Sequence, residues 1–361
     1  MTRPPTLPPL AAALLLTLAA PPGHAAADEA DPLIVAHRGA SHDAPENTLA
    51  AFRLAWEQGA DVFECDVWLT ADDRIVCLHD KTTGRTAGGD KGTGLSVTAS
   101  TLAQLRTVEV GAWKHERFRG EPIPLLADAL ATVPAHGRVF VEVKDTARIV
   151  PRLARVLAES GLRPDQLTVI SFDARVVAAS KAALPEVEAH WLTGFKIDQA
   201  TDTPTVELDQ VLATLALAQA DGLGARARPD HFDAAFVAAL RDHGYRVNVW
   251  TVNDPDVARF YADLNVDAIT TDRPALSRFM TITIAEDVLR LLPKGTHDPA
   301  LFIRPTELSG AMKKAGLKVG PTKGLGPRGL NRRGDFVFGP VPTRAIIYMG
   351  IAHKGDRPGH Q

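Results

Sequence analysis

"VFECDVWLTADDRIVCLHD", residues Val62–Asp80, decides the fold. Two strand-like runs lie on either side of a link of only Ala71-Asp72-Asp73. Elsewhere in the chain such runs alternate with amphipathic helical stretches, which argues for a parallel sheet. Parallel neighbours need a crossover of about a dozen residues or more, so this one link predicts a hairpin. The strand candidates are Leu33–His37, Val62–Trp68, Arg74–His79, Arg138–Lys144, Leu167–Phe172, Val187–Leu192, Asp221–Gly224, Tyr245–Thr251 and Asp267–Thr271. Without the return arm of the hairpin about eight remain, the number that a closed (β/α)₈ TIM barrel requires. Helical stretches between them include "TLAAFRLAWEQG", "VPRLARVLAESG", "ARVVAASKAALP", "FDAAFVAALRDHG" and "DPDVARFYADL".

The hairpin has a chemical consequence. It folds His79 back level with Glu64 and Asp66, at the mouth of the barrel. Glu64 and Asp66 are two apart on a strand and share a face. Adjacent carboxylates repel unless something positive lies between them, and a divalent cation with oxygen ligands is the natural solution. In "VFVEVKD", Glu142 and Lys144 share a face at the end of a later strand. In "AHRGASHDAPENT", Ala36–Thr48, His37 and Arg38 follow a buried strand and "PENT" opens a helix. Three carboxylates, a lysine and an arginine at one barrel mouth suit a phosphate ester bridged to a metal. His37 and His79 remain as an acid/base pair.

Each residue also has a plainer role. A lone ExD on a strand is more often a solvated edge or an ion-pair partner. Glu46 and Asn47 read as helix N-caps ahead of any direct part in chemistry, and Trp250 reads as core. What favours chemistry is that all these residues fall at the same end of successive strands. Cys65 is expected on the face opposite to Glu64 and Asp66, and Cys77 on the face of those acids, which would exclude a disulfide between the two.

With 45% hydrophobic and 23% charged residues the composition is that of a globular protein, and a net charge of −3 gives no electrostatic reason to expect nucleic acid. The first residues have the layout of a secretory signal peptide, assigned to 1–27: one Arg, a short Ala/Leu core and a small-residue segment. The run Leu10–Ala20 is too short for a comfortable span, and no stable membrane span is expected in the interior. A secreted or periplasmic location follows, with a disordered or anchoring tail as the other reading. The barrel is assigned to 31–280, with an insertion at about 81–123 that is long enough to form a lid or a pocket wall.

The segments "HRGA…PENT", "ECDVWLTADDRIVCLHD", "IPLLADAL", "VEVK", "VISFD", "VWTVND" and "AITTDRP" occur in this order. Together, over about residues 33–279, the chain resembles the glycerophosphodiester phosphodiesterases. That resemblance implies a (β/α)₈ barrel with an insertion after the strand bearing the second histidine. It also implies hydrolysis of small glycerophosphodiesters to sn-glycerol 3-phosphate and an alcohol with a divalent metal, Ca²⁺ or Mg²⁺. By resemblance Glu64, Asp66 and Glu142 hold the metal, and His37 and His79 are the acid/base pair. Arg38 and Lys144 neutralise phosphate oxygens, and Trp250 lines the glycerol side. Asp80 orients His79, while Glu46 and Asn47 support the loop carrying His37 and Arg38.

Beyond the barrel, residues 281–361 read as a small appended α/β segment. "VLRLLPKGTHDPALFIRPTEL" and "YMGIAHK" resemble the C-terminal end of a ubiquinone-biosynthesis O-methyltransferase. The nucleotide-binding half of that family, with its Gly-rich loop after a first strand, has no counterpart here, so no methyl transfer is expected. The competing readings are a lysophospholipase D or sphingomyelinase-D-like phosphodiesterase and, outside hydrolysis, a methyltransferase or an inactive binding protein. The sequence carries no sign of oligomeric state.

Overall fold

The structure, a computed structural model, describes residues 32–90, 92–194 and 207–275, together with the backbone of short strands within 197–204 and 317–354. The assignments to 1–27 and to most of 281–361 lie outside the described residues.

The strands are β1 (Leu33–Ala36), β2 (Val62–Leu69), β3 (Ile75–Cys77), β4 (Arg138–Val143), β5 (Leu167–Ser171), β6 (Glu188–Thr193), the short β7 (Ile197–Asp198) and β8 (Thr203–Pro204), β9 (Gly222–Arg226), β10 (Arg246–Trp250) and β11 (Ala268–Thr271). The helices are α1 (Leu49–Glu57), α2 (Leu102–Leu105), α3 (Leu126–Leu130), α4 (Val150–Glu159), α5 (Ala174–Ala183), α6 (Leu208–Ala218), α7 (Ala234–Asp242) and α8 (Pro255–Asp263). β1, β2, β4, β5, β6, β9, β10 and β11 pair in parallel, and β1 closes the ring by pairing with both β11 and β2. This is a closed barrel of eight parallel strands with helices outside, as expected from the alternation of elements. In the tail, β12 (Leu317–Val319) pairs with β16 (Ala352–Lys354), and β13 (Lys323–Leu330) with β14 (Phe336–Val341) and β15 (Tyr348–Met349). No described helix is long and apolar enough to cross a membrane.

β3 pairs antiparallel with β2, Val67 opposite Cys77 and Leu69 opposite Ile75, so the short link is the hairpin predicted for it. Asp73 takes a left-handed φ of 54° in its turn, a conformation Asp tolerates. The same register corrects the cysteine assignment. Cys77 lies opposite Val67 and therefore shares the outward face of Val67 and Cys65. The acids point to the other face. A strand has a side-chain period of two, so a register shifted by one residue reverses every face. Both thiols are free and buried between barrel and helices, and burial pushes the Cys65 thiol well above its ordinary range.

Three apolar clusters build the molecule. The largest lies between the outer barrel face and the helices, for example Phe63, Val141 and Val169 against Phe52, Leu153 and Tyr261. α4 contributes Val150, Leu153, Val156 and Leu157, one stripe at helical spacing, and starts with Pro151 in its first turn, where no backbone donor is lost. A second cluster fills the barrel with Val35, Val62, Phe140, Ile170, Leu192 and Ala268. The third belongs to the insertion: Val97, Leu105, Val110 and Ile123 pack on Val76 and Leu78. The insertion thus has a core of its own against the return arm of the hairpin.

Candidate active site

The upper end of the barrel is polar because the strand alternation places it so. On β2, Val62 points into the apolar barrel filling, and Glu64 and Asp66 follow on the same face. Asp66 lies in register with Glu142 of β4, and Glu64 with Phe140. Candidate ligand atoms of Glu64, Asp66 and Glu142 all lie within 4.8 Å of one another, and all three side chains are buried.

Their surroundings are uneven. Asp66 accepts from the Asn47 amide at 2.8 Å, and its own backbone N–H donates to Asn47 Oδ1 at 3.0 Å. Arg38 Nε lies 3.3 Å from Asp66 Oδ2, and Lys144 Nζ 3.5 Å from Oδ1. Burial alone would raise the Asp66 carboxyl, but Arg38, Lys144 and His79 outweigh it and bring it down to about 2. Glu64 accepts one backbone bond, from Arg38 at 2.8 Å. Burial, with Asp66 and Glu142 beside it, pushes Glu64 well above the usual carboxylate range. Burial and Asp66 also raise Glu142, although Lys144 donates to it at 2.7 Å. Glu64 Oε1 and Asp66 Oδ1 are buried with no hydrogen-bond donor. Two buried oxygens without a hydrogen bond, beside a third carboxylate, fit a hard cation with oxygen ligands.

The loop "HRGASHDAPENT" wraps this cluster. Arg38 and Asn47 both take left-handed φ values, 55° and 57°, which lets the Arg38 N–H face Glu64 while its guanidinium faces Asp66 and Glu46. Such conformations cost energy in non-glycine residues and collect at functional sites. Gly39 follows with φ +76°, and a Cβ there would lie 2.6 Å from the Ala51 backbone, so the "HRG" glycine is a steric necessity. Helix α1 is capped by Thr48, which accepts from Ala51 N at 3.2 Å. The capping role expected of Glu46 and Asn47 is therefore corrected: Asn47 holds Asp66, and Glu46 accepts from Arg38 at 2.9 Å and from Arg85 at 2.7 and 2.8 Å.

His37 and His79 each have Nδ1 2.7 Å from a carboxylate, Asp272 and Asp80 respectively, which leaves Nε2 as the nitrogen free for chemistry. Asp272 also accepts from Ser41 at 3.0 Å and Asn253 at 2.6 Å. Asp80, held by Arg85 Nε at 2.7 Å, is brought down to about 2 by Arg85 and His79 against the opposing effect of burial. Burial, together with Arg38 and Lys144, lowers His79 below the ordinary imidazole range despite Asp66 and Asp80. β3 ends at Cys77, whose side chain points outward, and the turn after it re-aims His79 toward the cavity.

His37, Arg38, Glu64, His79, Glu142 and Lys144 line one cavity of about 160 Å³. Its opposite wall is apolar, made by Phe140, Ile170, Phe172, Leu192 and Trp250. Trp250 donates to the Gly224 carbonyl at 3.1 Å and meets Phe172 edge to face at 5.4 Å, so it is cavity wall as well as core.

Residues 37–276 match the model of the glycerophosphoryl diester phosphodiesterase family. The chain belongs to that family. A Mycobacterium tuberculosis protein named probable glycerophosphodiester phosphodiesterase 1 is 32% identical over 271 residues, covering 68% of this chain and 91% of its own length. A glycerophosphodiester phosphodiesterase of Bacillus subtilis is 26% identical over 259 residues, covering 68% and 84%. The solved structure of an Oleispira antarctica phosphodiesterase in complex with the product sn-glycerol-3-phosphate superposes with a TM-score of 0.61 at 28% identity, covering 70% of this chain and 97% of that one.

Asp272, Arg85, Asn253 and Phe172 of this phosphodiesterase went without a role in the sequence reading. Asp272 stands in the quoted motif "AITTDRP", and Arg85 near the start of the insertion, in "RTAGG". For Asp272 the available signal was its position just past the last strand, at the same edge as the other site residues. For Arg85 there was none: Asp80 is five residues away, but Glu46, which takes two of its three bonds, comes from another segment.

Proposed function

We propose that this phosphodiesterase hydrolyses glycerophosphodiesters to sn-glycerol 3-phosphate and an alcohol. The observation that carries it is the cluster of three buried carboxylates within reach of one another, flanked by Arg38 and Lys144 and by two histidines each backed by an aspartate. Glu64, Asp66 and Glu142 would hold a divalent cation; the all-oxygen donor set suits Ca²⁺ or Mg²⁺. Once bound, the cation would supply charge stabilisation to the phosphoryl oxygens.

Arg38 and Lys144 face the same oxygens and hold the diester against the carboxylates. One histidine Nε2 takes the proton of the nucleophile. The other gives its proton to the alkoxide as the phosphorus–oxygen bond to the alcohol breaks. Water is the net co-reactant, either by direct attack or by opening a cyclic diester formed by the glycerol 2-hydroxyl. Asp80 and Asp272 keep each imidazole in the tautomer this exchange needs. Trp250 and the apolar wall receive the carbon side of glycerol. Phe172, 48% exposed at the rim of that wall, favours a lysophospholipase D as the second reading, since an acyl chain would cover it.

We read residues 1–27 as a secretory leader, which would put the enzyme outside the cytoplasm. Residues about 284–354 we read as a non-catalytic, methyltransferase-like appendage.

The test is release of sn-glycerol 3-phosphate from glycerophosphocholine, with EDTA, Ca²⁺ or Mg²⁺, beside Glu64→Ala and His79→Ala. Metal-dependent release lost in both variants supports the reading. Absence of release with either metal sinks it, and choline release from lysophosphatidylcholine would then select the second.

A further inference from the structure

His37 and Arg38 have a second open side. Away from the apolar wall they border another cavity, of about 440 Å³, whose other walls include Trp113 and Lys114 from the insertion, His42, and Arg273 after β11. His79 and Lys144 line only the first cavity, so His37 and Arg38 stand between the two.

The charge in this second cavity is one-sided. Its two carboxylates are committed: Glu46 to Arg38 and Arg85, and Asp272 to His37, Ser41 and Asn253. Of its cations, Arg38 is paired with Glu46 and Asp66, but Lys114 and Arg273 are not committed. Lys114 donates to the Ser41 carbonyl at 2.7 Å and has no carboxylate partner among the described residues. The exposed Arg273 side chain has none there either. The Trp113 indole, fixed by a bond from Nε1 to the Val110 carbonyl at 2.9 Å, already has Lys114 Nζ 5.8 Å and the Arg85 guanidinium 6.0 Å from its ring. An aromatic surface that already holds cations offers a quaternary ammonium little.

Resting on the phosphodiesterase reading above, we propose that this second cavity receives the leaving alcohol and selects anionic head groups over quaternary-ammonium ones. The phosphate lies between the two cavities, glycerol toward Trp250 and the head group toward Trp113. His37, which borders the head-group side, is then the acid: its Nε2 proton goes to the head-group oxygen as the phosphorus–oxygen bond breaks. His79 takes the proton of the attacking hydroxyl, and water in the net supplies the hydroxyl on phosphorus.

The test compares kcat/KM of the full-length, metal-loaded enzyme on glycerophosphocholine, glycerophosphoinositol and glycerophosphoinositol 4-phosphate. The inositol pair shares its ring and differs by one phosphate, which adds about −1.5 to −2 of charge near neutral pH. Two partly exposed cations are expected to favour the inositol phosphate over choline by about tenfold at low salt, a preference that narrows as salt rises. In Lys114→Gln/Arg273→Gln the ratio falls toward one, and Arg273→Glu, at an exposed position that folding tolerates, moves it toward choline. A wild-type ratio at or below one, or a ratio unchanged in these variants, overturns the inference. Equal turnover of all three diesters removes this inference alone. No turnover of any of them removes the phosphodiesterase reading with it.

Discussion

Glu64 carries the sharpest conflict between folding and function at the residue scale. Its carboxylate is buried beside Asp66 and Glu142 with one oxygen lacking a donor. In the metal-free protein Glu64→Gln is expected to stabilise the fold by about 1–2 kcal/mol, because a carboxyl whose charged form is penalised by burial and by two neighbouring carboxylates becomes a neutral amide. The same variant should lose the rise in Tm on adding Ca²⁺ or Mg²⁺, which thermal unfolding with and without EDTA will read. Asp272 acts through His37. Asp272→Asn keeps the shape but offers a donor where Nδ1–H needs an acceptor, so kcat is expected to fall by about 10–100-fold or more with KM little changed. Asp80 shapes the acid limb of stability. Its carboxyl is held at about 2 in the folded protein against 3.8 ordinarily. The unfolded chain therefore binds more protons in that window. The contribution of Asp80 is complete above the ordinary value and is lost as pH falls through about 2. Urea midpoints between these pH values should drop less steeply in Asp80→Asn than in wild type.

Among the elements, the hairpin of β2 and β3 and the insertion behind it act as one support. Leu105 and Ile123 of the insertion core pack with Leu78, the residue before His79. Leu105→Ala is expected to cost about 2–4 kcal/mol and to lower kcat, because the turn that aims His79 loses its backing. Leu153→Ala, on α4 and equally buried, should cost a similar amount and leave kcat at 25 °C unchanged. Urea unfolding and kcat measured together on both variants separate support of the site from support of the fold. The start of helix α1 illustrates a division of labour within three residues. Thr48 caps the helix, while Glu46 and Asn47, which a local reading assigns to the same task, reach Arg38, Arg85 and Asp66. Capping is a local property; those other partners come from folding the chain back on itself.

The whole molecule is a closed barrel whose ring depends on β1 joining β11 and β2. The alternation of strand and helix, the too-short link Ala71-Asp72-Asp73 and the parity of Glu64 and Asp66 follow from backbone periodicity and from the minimum length of a crossover. These are local rules, and so the barrel, the hairpin and the shared edge of His37, Glu64, Asp66, His79, Glu142 and Lys144 were readable from the chain alone. Register was not: whether Cys77 faces the acids or Cys65 turns on a one-residue offset that leaves no mark in composition. Nor were partners drawn from distant segments. Asp272 and His37, Arg85 and Glu46, and Arg273 and Lys114 are pairs whose members are separated by tens of residues or more in sequence. The sequence by itself determined which chemical groups gather at one end of the barrel, because strand direction and side-chain alternation are fixed locally. Only the tertiary structure decided which carboxylate each histidine and arginine meets, because those distances exist only once the ring has closed.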